Sequence, residues 1–503
     1  MKTYICKNCG FIINLDSISD SKCPKCGSSE NNLELIENKL EEGEIDAIIE
    51  SVIDETKDSQ YNKIINQIED EKYINISDNN NTINKIKDKC INCGQCKKTC
   101  EKIANVSYNM NKCKEPICIG CGQCILNCPT SALIPKYEYR KVKDIIDENK
   151  KIVIAIVSPA VIASVDEISN LDSESDYEKK LVGALKKIGF DYVFDGGFGS
   201  DLTIMEQSVE LLNKIKEGKT PMFSSSCPAW IKYCEIYHSE LLKNLSLCKS
   251  PVSMQCEIIK NYFCNQKGFD KEKIVTVSIT SCTARKMEGK DYSSSIDYVI
   301  TTSELDLLLK EEEIKLKDAS ESDYDGIINE SSGSGKMADV SGGLSEGIAR
   351  TIYKILTRKS IQKSSLEFNS LRGFNGIKTA IIKIGNLNLK IAVVQKLENL
   401  EKLLKNDEYK KYHYIEVMSC DGGCIGGGGQ PIIPISKIDD IKNKRYNIIT
   451  NKDKKSIKRC AYENEEIKSL YKNYLKKPYS DKSIELLYTT YSSKKELLNN
   501  KKD

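Results

Sequence analysis

Two cysteine runs carry the most specific chemistry in this chain: Cys90-x2-Cys93-x2-Cys96-x3-Cys100, and Cys118-x2-Cys121-x2-Cys124-x3-Cys128-Pro129. Runs of this spacing hold cubane 4Fe–4S clusters, with the fourth cysteine of each run crossing to the other cluster. One cluster is therefore expected on Cys90, Cys93, Cys96 and Cys128. The other is expected on Cys118, Cys121, Cys124 and Cys100. Thiolates are soft, charged donors that suit iron, and two zinc sites are the weaker alternative. Cys113 is left over and reads as a small apolar packing residue.

A second constellation opens the chain. Cys6-Lys-Asn-Cys9 and Cys23-Pro-Lys-Cys26 offer four thiolates to one tetrahedral ion, either a structural zinc or a single redox iron. Few apolar residues surround them, so the metal itself must supply most of the folding free energy.

Three more cysteine segments follow. They are Ser224-Ser-Ser-Cys227-Pro-Ala-Trp230, Ser281-Cys282-Thr-Ala-Arg-Lys-Met-Glu288, and Glu416-Val-Met-Ser-Cys420-Asp-Gly-Gly-Cys424 with its sequel Ile-Gly-Gly-Gly-Gly-Gln430-Pro431. Each comes directly after a strand-like run: 221–223, 274–280 and 414–418. Further strands are expected at 152–157, 192–195, 298–301, 378–384 and 390–395, with helices at 178–188, 201–216 and 397–405 between them. Strands alternating with helices imply an α/β fold of mostly parallel sheets flanked by helices. Ligands in such folds bind beyond the carboxyl ends of the strands. The three loops are thus expected to converge, with Cys227, Cys282, Cys420 and Cys424 sharing one cluster. Glycines 426–429 allow backbone to approach where a Cβ would intrude.

These elements divide the chain into a zinc-ribbon or rubredoxin-like module (1–32), a helical linker (33–84), a ferredoxin-like domain with two 4Fe–4S clusters (85–140), a cluster-binding α/β domain (147–440) and a helical carboxyl-terminal segment (441–503). In the linker, Ile45, Ile48, Ile49, Val52 and Ile53, then Tyr61, Ile64, Ile65 and Ile68, keep a helical rhythm. Asp78-Asn-Asn-Asn-Thr82 reads as a polar connection.

Composition removes several classes of function. With 75 basic and 73 acidic residues, the net charge of +2 gives no reason to expect nucleic acid or a membrane surface as partner. The start, Met1-Lys-Thr-Tyr-Ile-Cys6, has no apolar signal core. No run of about 18 apolar residues is present. A reducing cytoplasm, in an anaerobe, is the expected setting. The two histidines, His238 and His413, are too few for a multi-histidine metal site. Cys234, Cys248, Cys256, Cys264 and Cys460 are scattered and read as buried or free thiols.

From about residue 85 to 495 the chain resembles iron-only (FeFe) hydrogenases. The resemblance implies an H-cluster: a 4Fe–4S cluster on Cys227, Cys282, Cys420 and Cys424, bridged by Cys424 to a two-iron unit with CO, CN⁻ and an azadithiolate. It implies that Ser158-Pro159-Ala160, Ser250-Pro251 and Met418 line the pocket, and that Glu210, Ser246 and Glu288 belong to the proton route. It also implies maturation by dedicated assembly enzymes and electron exchange with a ferredoxin-like carrier or a signalling partner.

Four departures stand out. The family's hydrogen-evolving members have a cysteine where this chain has Ser226, and a relay glutamate where it has Gln207. Arg285 replaces a lysine that bonds a cyanide ligand, and Thr280-Ser281 replaces Met-Pro. A relay group must accept and release protons near working pH. A thiol titrates near ~8.5, whereas a serine hydroxyl and an amide do not titrate usefully. The pattern resembles the sensory branch of the family. The expected function is slow or sensory reversible cleavage of H2 to protons and electrons. The alternatives are an efficient hydrogen-evolving enzyme and a non-catalytic relative of the iron–sulfur assembly type.

Overall fold

The computed structural model describes residues 80–106, 117–169, 176–292 and 295–498, together with 2–6, 12–15, 22–23, 28–29, 31 and 33–35. The expected linker helices near 45–53 and 61–68, and Cys9, Cys26 and Cys113, lie outside the described residues.

Two four-stranded sheets form the core. In the first, Tyr298–Thr301, Ile274–Thr280, Ile152–Val157 and Tyr192–Asp195 lie side by side, all parallel. Its central strands are near-continuous apolar runs because both faces are covered. Val153, Ala155 and Val157 join one core with Leu181, Leu185 and Leu305. Ile154 and Ile156 point the other way, into a core with Phe198, Met254 and Ile258, as the two-residue period of a strand requires.

The second sheet runs Ile377–Ile384, Leu387–Gln395, Tyr414–Met418, Met222–Phe223. Its last two pairings are parallel, and its first is an antiparallel hairpin. The hairpin is the exception to parallel order for a simple reason. Only Gly385 and Asn386 join the two strands, far too few for a crossover.

The ferredoxin-like segment is continuous with this second sheet. Ile83, Ile119, Ile125 and Leu133 belong to the same core as Phe223, Trp230, Val394 and Val417. It also begins earlier than the expected boundary at 85. The strand Ile83–Lys85 pairs antiparallel with Leu133–Pro135. Asn80 and Thr82, expected in a polar connection, are buried. Asn80 Oδ1 accepts from the backbone of both Thr82 and Ile83, closing a turn at 2.9 Å.

Two other boundaries are corrected. Residues 33–35, assigned to a helical linker, form the strand Leu33–Leu35, which pairs with Lys2–Cys6 beside Ile12–Leu15. Three hydrogen-bonded residues of extended chain override the local periodicity. The division at 440/441 falls inside the helix Ile438–Lys455. That helix is tied to the α/β domain by Arg350, a fully buried cation on the helix Gly343–Thr357 that bonds Asp453 at 3.0 and 3.1 Å.

Candidate active site at the cysteine loops

Each cysteine loop leaves the carboxyl end of a strand and most enter a helix at once. Met222–Phe223 leads through three serines to Cys227, which caps the helix Pro228–Tyr237. Proline at the first helical position suits its missing N–H. Trp230 Nε1 donates back to Ser224 O at 3.0 Å and fixes the turn. Ile274–Thr280 leads to Cys282 and the helix Arg285–Asp291. Tyr414–Met418 leads to Cys420, then to Gly422 and Gly423, whose φ of +79° and +88° only glycine adopts readily, and then to Cys424.

These loops come from both sheets, and hydrogen bonds join them. Ser281 Oγ donates to Cys424 O at 2.7 Å. Gly429 N donates to Ser281 O at 2.8 Å. Cys227 Sγ lies 3.5 Å from Ser419 Oγ. A fourth strand end joins them where Gln430 Nε2 donates to Ala160 O at 3.2 Å, just past Ser158-Pro159.

The thiols of Cys282, Cys420 and Cys424 each feel the charge of Cys227, and those of Cys420 and Cys424 also that of Cys282. Burial, then repulsion from Cys227, pushes Cys282 up to about 11 against the opposing pull of Arg285. Burial also raises Cys420 and Cys424 well above the ordinary thiol value. Four thiolates gathered in a partly buried site need a cation of high charge beside them, and iron in a cluster supplies it. Among the described residues, no three histidine, cysteine or acidic side chains gather as ligands of a single ion. Each cubane thiolate reaches a different iron, so the ligands of a cluster stand farther apart than those of one ion. The donor set fits a cluster.

The glycine run is explained by close backbone approach. A Cβ on Gly427 would stand 2.3 Å from Ser281 O, and one on Gly428 would stand 2.4 Å from both Cys121 O and Gly122 Cα. Gly428 is therefore where the ferredoxin-like segment touches the cysteine loop. Gln123, between Cys121 and Cys124, reinforces the contact. Its Nε2 donates to Gly426 O at 2.7 Å and lies 3.3 Å from Cys420 Sγ. Within that segment, Cys100 and Cys124 both feel the charges of Cys118 and Cys121, the neighbourhood that a crossed fourth ligand requires. Burial raises Cys121 to about 12. Cys93 is exposed and Cys90, Cys96 and Cys128 are partly so. Of the amino-terminal four, Cys6 and Cys23 are described, and both are buried.

The family described as "Iron only hydrogenase large subunit, C-terminal domain" matches residues 151–428, and "Iron hydrogenase small subunit" matches 439–494. The chain belongs to the iron-only hydrogenase family. It is 36% identical to iron hydrogenase 1 of Clostridium pasteurianum over 429 residues, 80% of this chain and 74% of the relative. A solved FeFe-hydrogenase from Chlamydomonas reinhardtii superposes with a TM-score of 0.62 at 31% identity, covering 71% of this chain and 99% of that one. A cytosolic Fe-S cluster assembly factor of Danio rerio, narfl, is 28% identical over 393 residues, 72% of this chain and 94% of the relative.

Within this hydrogenase fold the relay positions divide into two groups. Glu210 is buried, accepts from Ser246 Oγ at 2.6 Å and from Leu247 N at 3.1 Å, and pairs with Lys214 at 3.3 Å. Gln207 is fully buried with both ends of its amide committed. Its Oε1 accepts from Tyr414 OH at 2.8 Å, and its Nε2 donates to Ser225 Oγ at 3.3 Å. Ser226 is 9% exposed, and its Oγ has no hydrogen-bond partner.

Arg285 and Glu288 form a buried pair at 2.5 Å, and the second guanidinium nitrogen donates to Ser226 O at 3.0 Å. Met418 is buried at a strand end. Ser250 caps the helix Pro251–Ile258. The five scattered cysteines are all buried, as expected. His413 Nδ1 accepts from Lys390 N at 3.0 Å, a plain structural bond between strands.

Sequence reasoning missed Gln123, Tyr414 and Asp339. Gln123 occupies an unconstrained place in a cysteine run, Tyr414 looks like any strand aromatic, and nothing near Asp339 in sequence marks it. No helix of the described residues is long and apolar enough to cross a membrane.

Proposed function

We propose that this protein is an iron-only hydrogenase of low turnover, suited to sensing H2 and not to producing it in bulk, and that it works in a reducing cytoplasm. The carrying observation is the broken polar chain at Ser226 and Gln207 beside an intact thiol constellation. When bound, the two-iron unit supplies reversible heterolytic cleavage of H2.

In this reading Cys227, Cys282, Cys420 and Cys424 would hold the H-cluster. Ser158, Pro159, Pro251 and Met418 shape its pocket. The guanidinium of Arg285 is kept in orientation by Glu288 and by the carbonyl of Ser226. Glu210 and Ser246 form one polar pair. The amide of Gln207 holds no acidic proton to pass on, and the hydroxyl of Ser226 does not accept and release a proton near working pH as a thiol can. Cys100, Cys118, Cys121 and Cys124 would hold one cubane and Cys90, Cys93, Cys96 and Cys128 another, which would supply electron exchange with a ferredoxin-like carrier or signalling partner. The amino-terminal thiols of Cys6, Cys9, Cys23 and Cys26 hold one zinc or iron.

The test has two parts. Protein matured anaerobically with the dedicated assembly enzymes should show metal-bound CO and CN⁻ infrared bands; their absence would favour the assembly-factor reading. Ser226→Cys should raise H2 turnover at equal cluster occupancy, and adding Gln207→Glu should raise it further. A restored relay group is worth on the order of 10²–10⁴-fold. Wild type turning over as fast as the double variant would sink the slow-turnover reading.

A further inference from the structure

Asp339 lies between the helices Gly333–Met337 and Gly343–Thr357. Its Oδ2 accepts from Ser158 Oγ and from Ala160 N, the latter at 2.9 Å. Its backbone oxygen accepts from Cys424 N at 2.8 Å, and the next residue, Val340, bridges to Gly423. One residue thus links the strand end at Ser158 to the loop of Cys424 and sets a carboxylate between them.

A clamp between two loops would need only an acceptor, and a neutral amide would serve. A carboxylate adds a negative charge that two donors prevent from turning away. Reduction of a cluster adds a further negative charge nearby, and in a partly buried site like charges repel more strongly than in bulk water. The opposing cation, Arg285, is already paired with Glu288.

Resting on the hydrogenase reading above, we propose that Asp339, held by Ser158 and Ala160, is a positioning residue whose charge makes the cluster on Cys424 harder to reduce and more electron-rich.

The experiment uses the full chain, matured anaerobically, as wild type, Asp339→Asn and Ser158→Ala, with iron content measured for each. Asparagine keeps an acceptor for Ser158 and Ala160 but removes the charge; alanine at 158 removes the hydroxyl but keeps the charge. Infrared spectroelectrochemistry should show the reduction midpoint of Asp339→Asn moved positive and its CO bands moved to higher frequency, with Ser158→Ala, which also alters the pocket wall, shifted less than Asp339→Asn. Should Asp339→Asn lose iron, Asp339→Ser is the second neutral variant. Unmoved midpoint and bands in the neutral variant overturn the proposal, as does an equal shift in Ser158→Ala, which would mark a clamp. Wild type without CO or CN⁻ bands would refute the two-iron reading separately. The midpoint of the 4Fe–4S cluster, followed by electron paramagnetic resonance, would then decide the role of Asp339 in the same way.

Discussion

Replacing Gly428 by alanine would force apart the place where the two iron–sulfur regions meet. The new Cβ would lie 2.4 Å from Cys121 O and Gly122 Cα and 2.5 Å from Gly122 C, all main-chain atoms. Unstrained carbon contacts begin near ~3.5 Å, so the backbones must separate by about 1 Å. The segment opposite is not free to yield. Gly120 O accepts from Thr283 Oγ1 at 2.6 Å, and Gln123 Nε2 is anchored on Gly426 O at 2.7 Å. Overpacking of this kind costs about 1–3 kcal/mol, and the lost Gln123 bond adds about 1 kcal/mol. Anaerobic denaturant titration should therefore show a lower unfolding midpoint. Gly326→Ala is the control, because nothing lies within 4 Å of its Cβ. It should be neutral or stabilising by up to ~1 kcal/mol. In the assembled enzyme, H2 oxidation coupled to an external carrier should fall in Gly428→Ala while H/D exchange, which needs no net electron flow, is retained. A wild-type midpoint together with a wild-type carrier-coupled rate would refute the reasoning.

The two histidines should titrate on opposite sides of the ordinary imidazole value. Burial alone would lower His238, but Glu401 at 2.6 Å and Glu240 at 3.1 Å outweigh it and raise it, whereas burial and then Lys390 lower His413. Histidine-labelled protein followed by NMR reads both at once. The stability from His238 is fully present below its unfolded value of ~6.5, and is lost as pH rises through the raised folded value. His238→Gln should flatten that loss. Arg350→Met should destabilise the protein by about 3 kcal/mol, since breaking a buried ion pair costs about 3–5 kcal/mol and Arg459 and Arg372 still face Asp453 and Glu346. Limited proteolysis should then cut first around the helix Ile438–Lys455, and an unchanged digestion pattern would count against that role for Arg350.

The strands at 152–157, 192–195, 274–280, 298–301 and 414–418 were legible to the residue. Apolar runs bounded by serine, glycine and lysine leave little choice when both faces of a strand are buried. The hairpin strand Leu387–Gln395 began three residues before the expected 390. Its first turn alternates with exposed Asn388 and Lys390, a pattern that also fits a loop. The short strands Ile83–Lys85 and Leu33–Leu35 were not legible, because three residues acquire their conformation from a partner strand distant in sequence.

Sequence alone marked the candidate ligands. Cysteine spacing is local chemistry, and a cubane dictates it wherever the run sits in a fold. Sequence alone also determined that Ser226 and Gln207 cannot do the work of a thiol and a carboxylate, since that follows from side-chain type. Tertiary structure decided everything that depends on distant residues meeting. It brought the loops of two separate sheets together through Ser281 and Gly429. It set Gly122 against Gly428, gave Gln207 its partner Tyr414, and carried Asp339 to Cys424. Those contacts join residues up to 306 positions apart, and no local pattern encodes them, because the packing of whole sheets and not the neighbouring residues selects each partner.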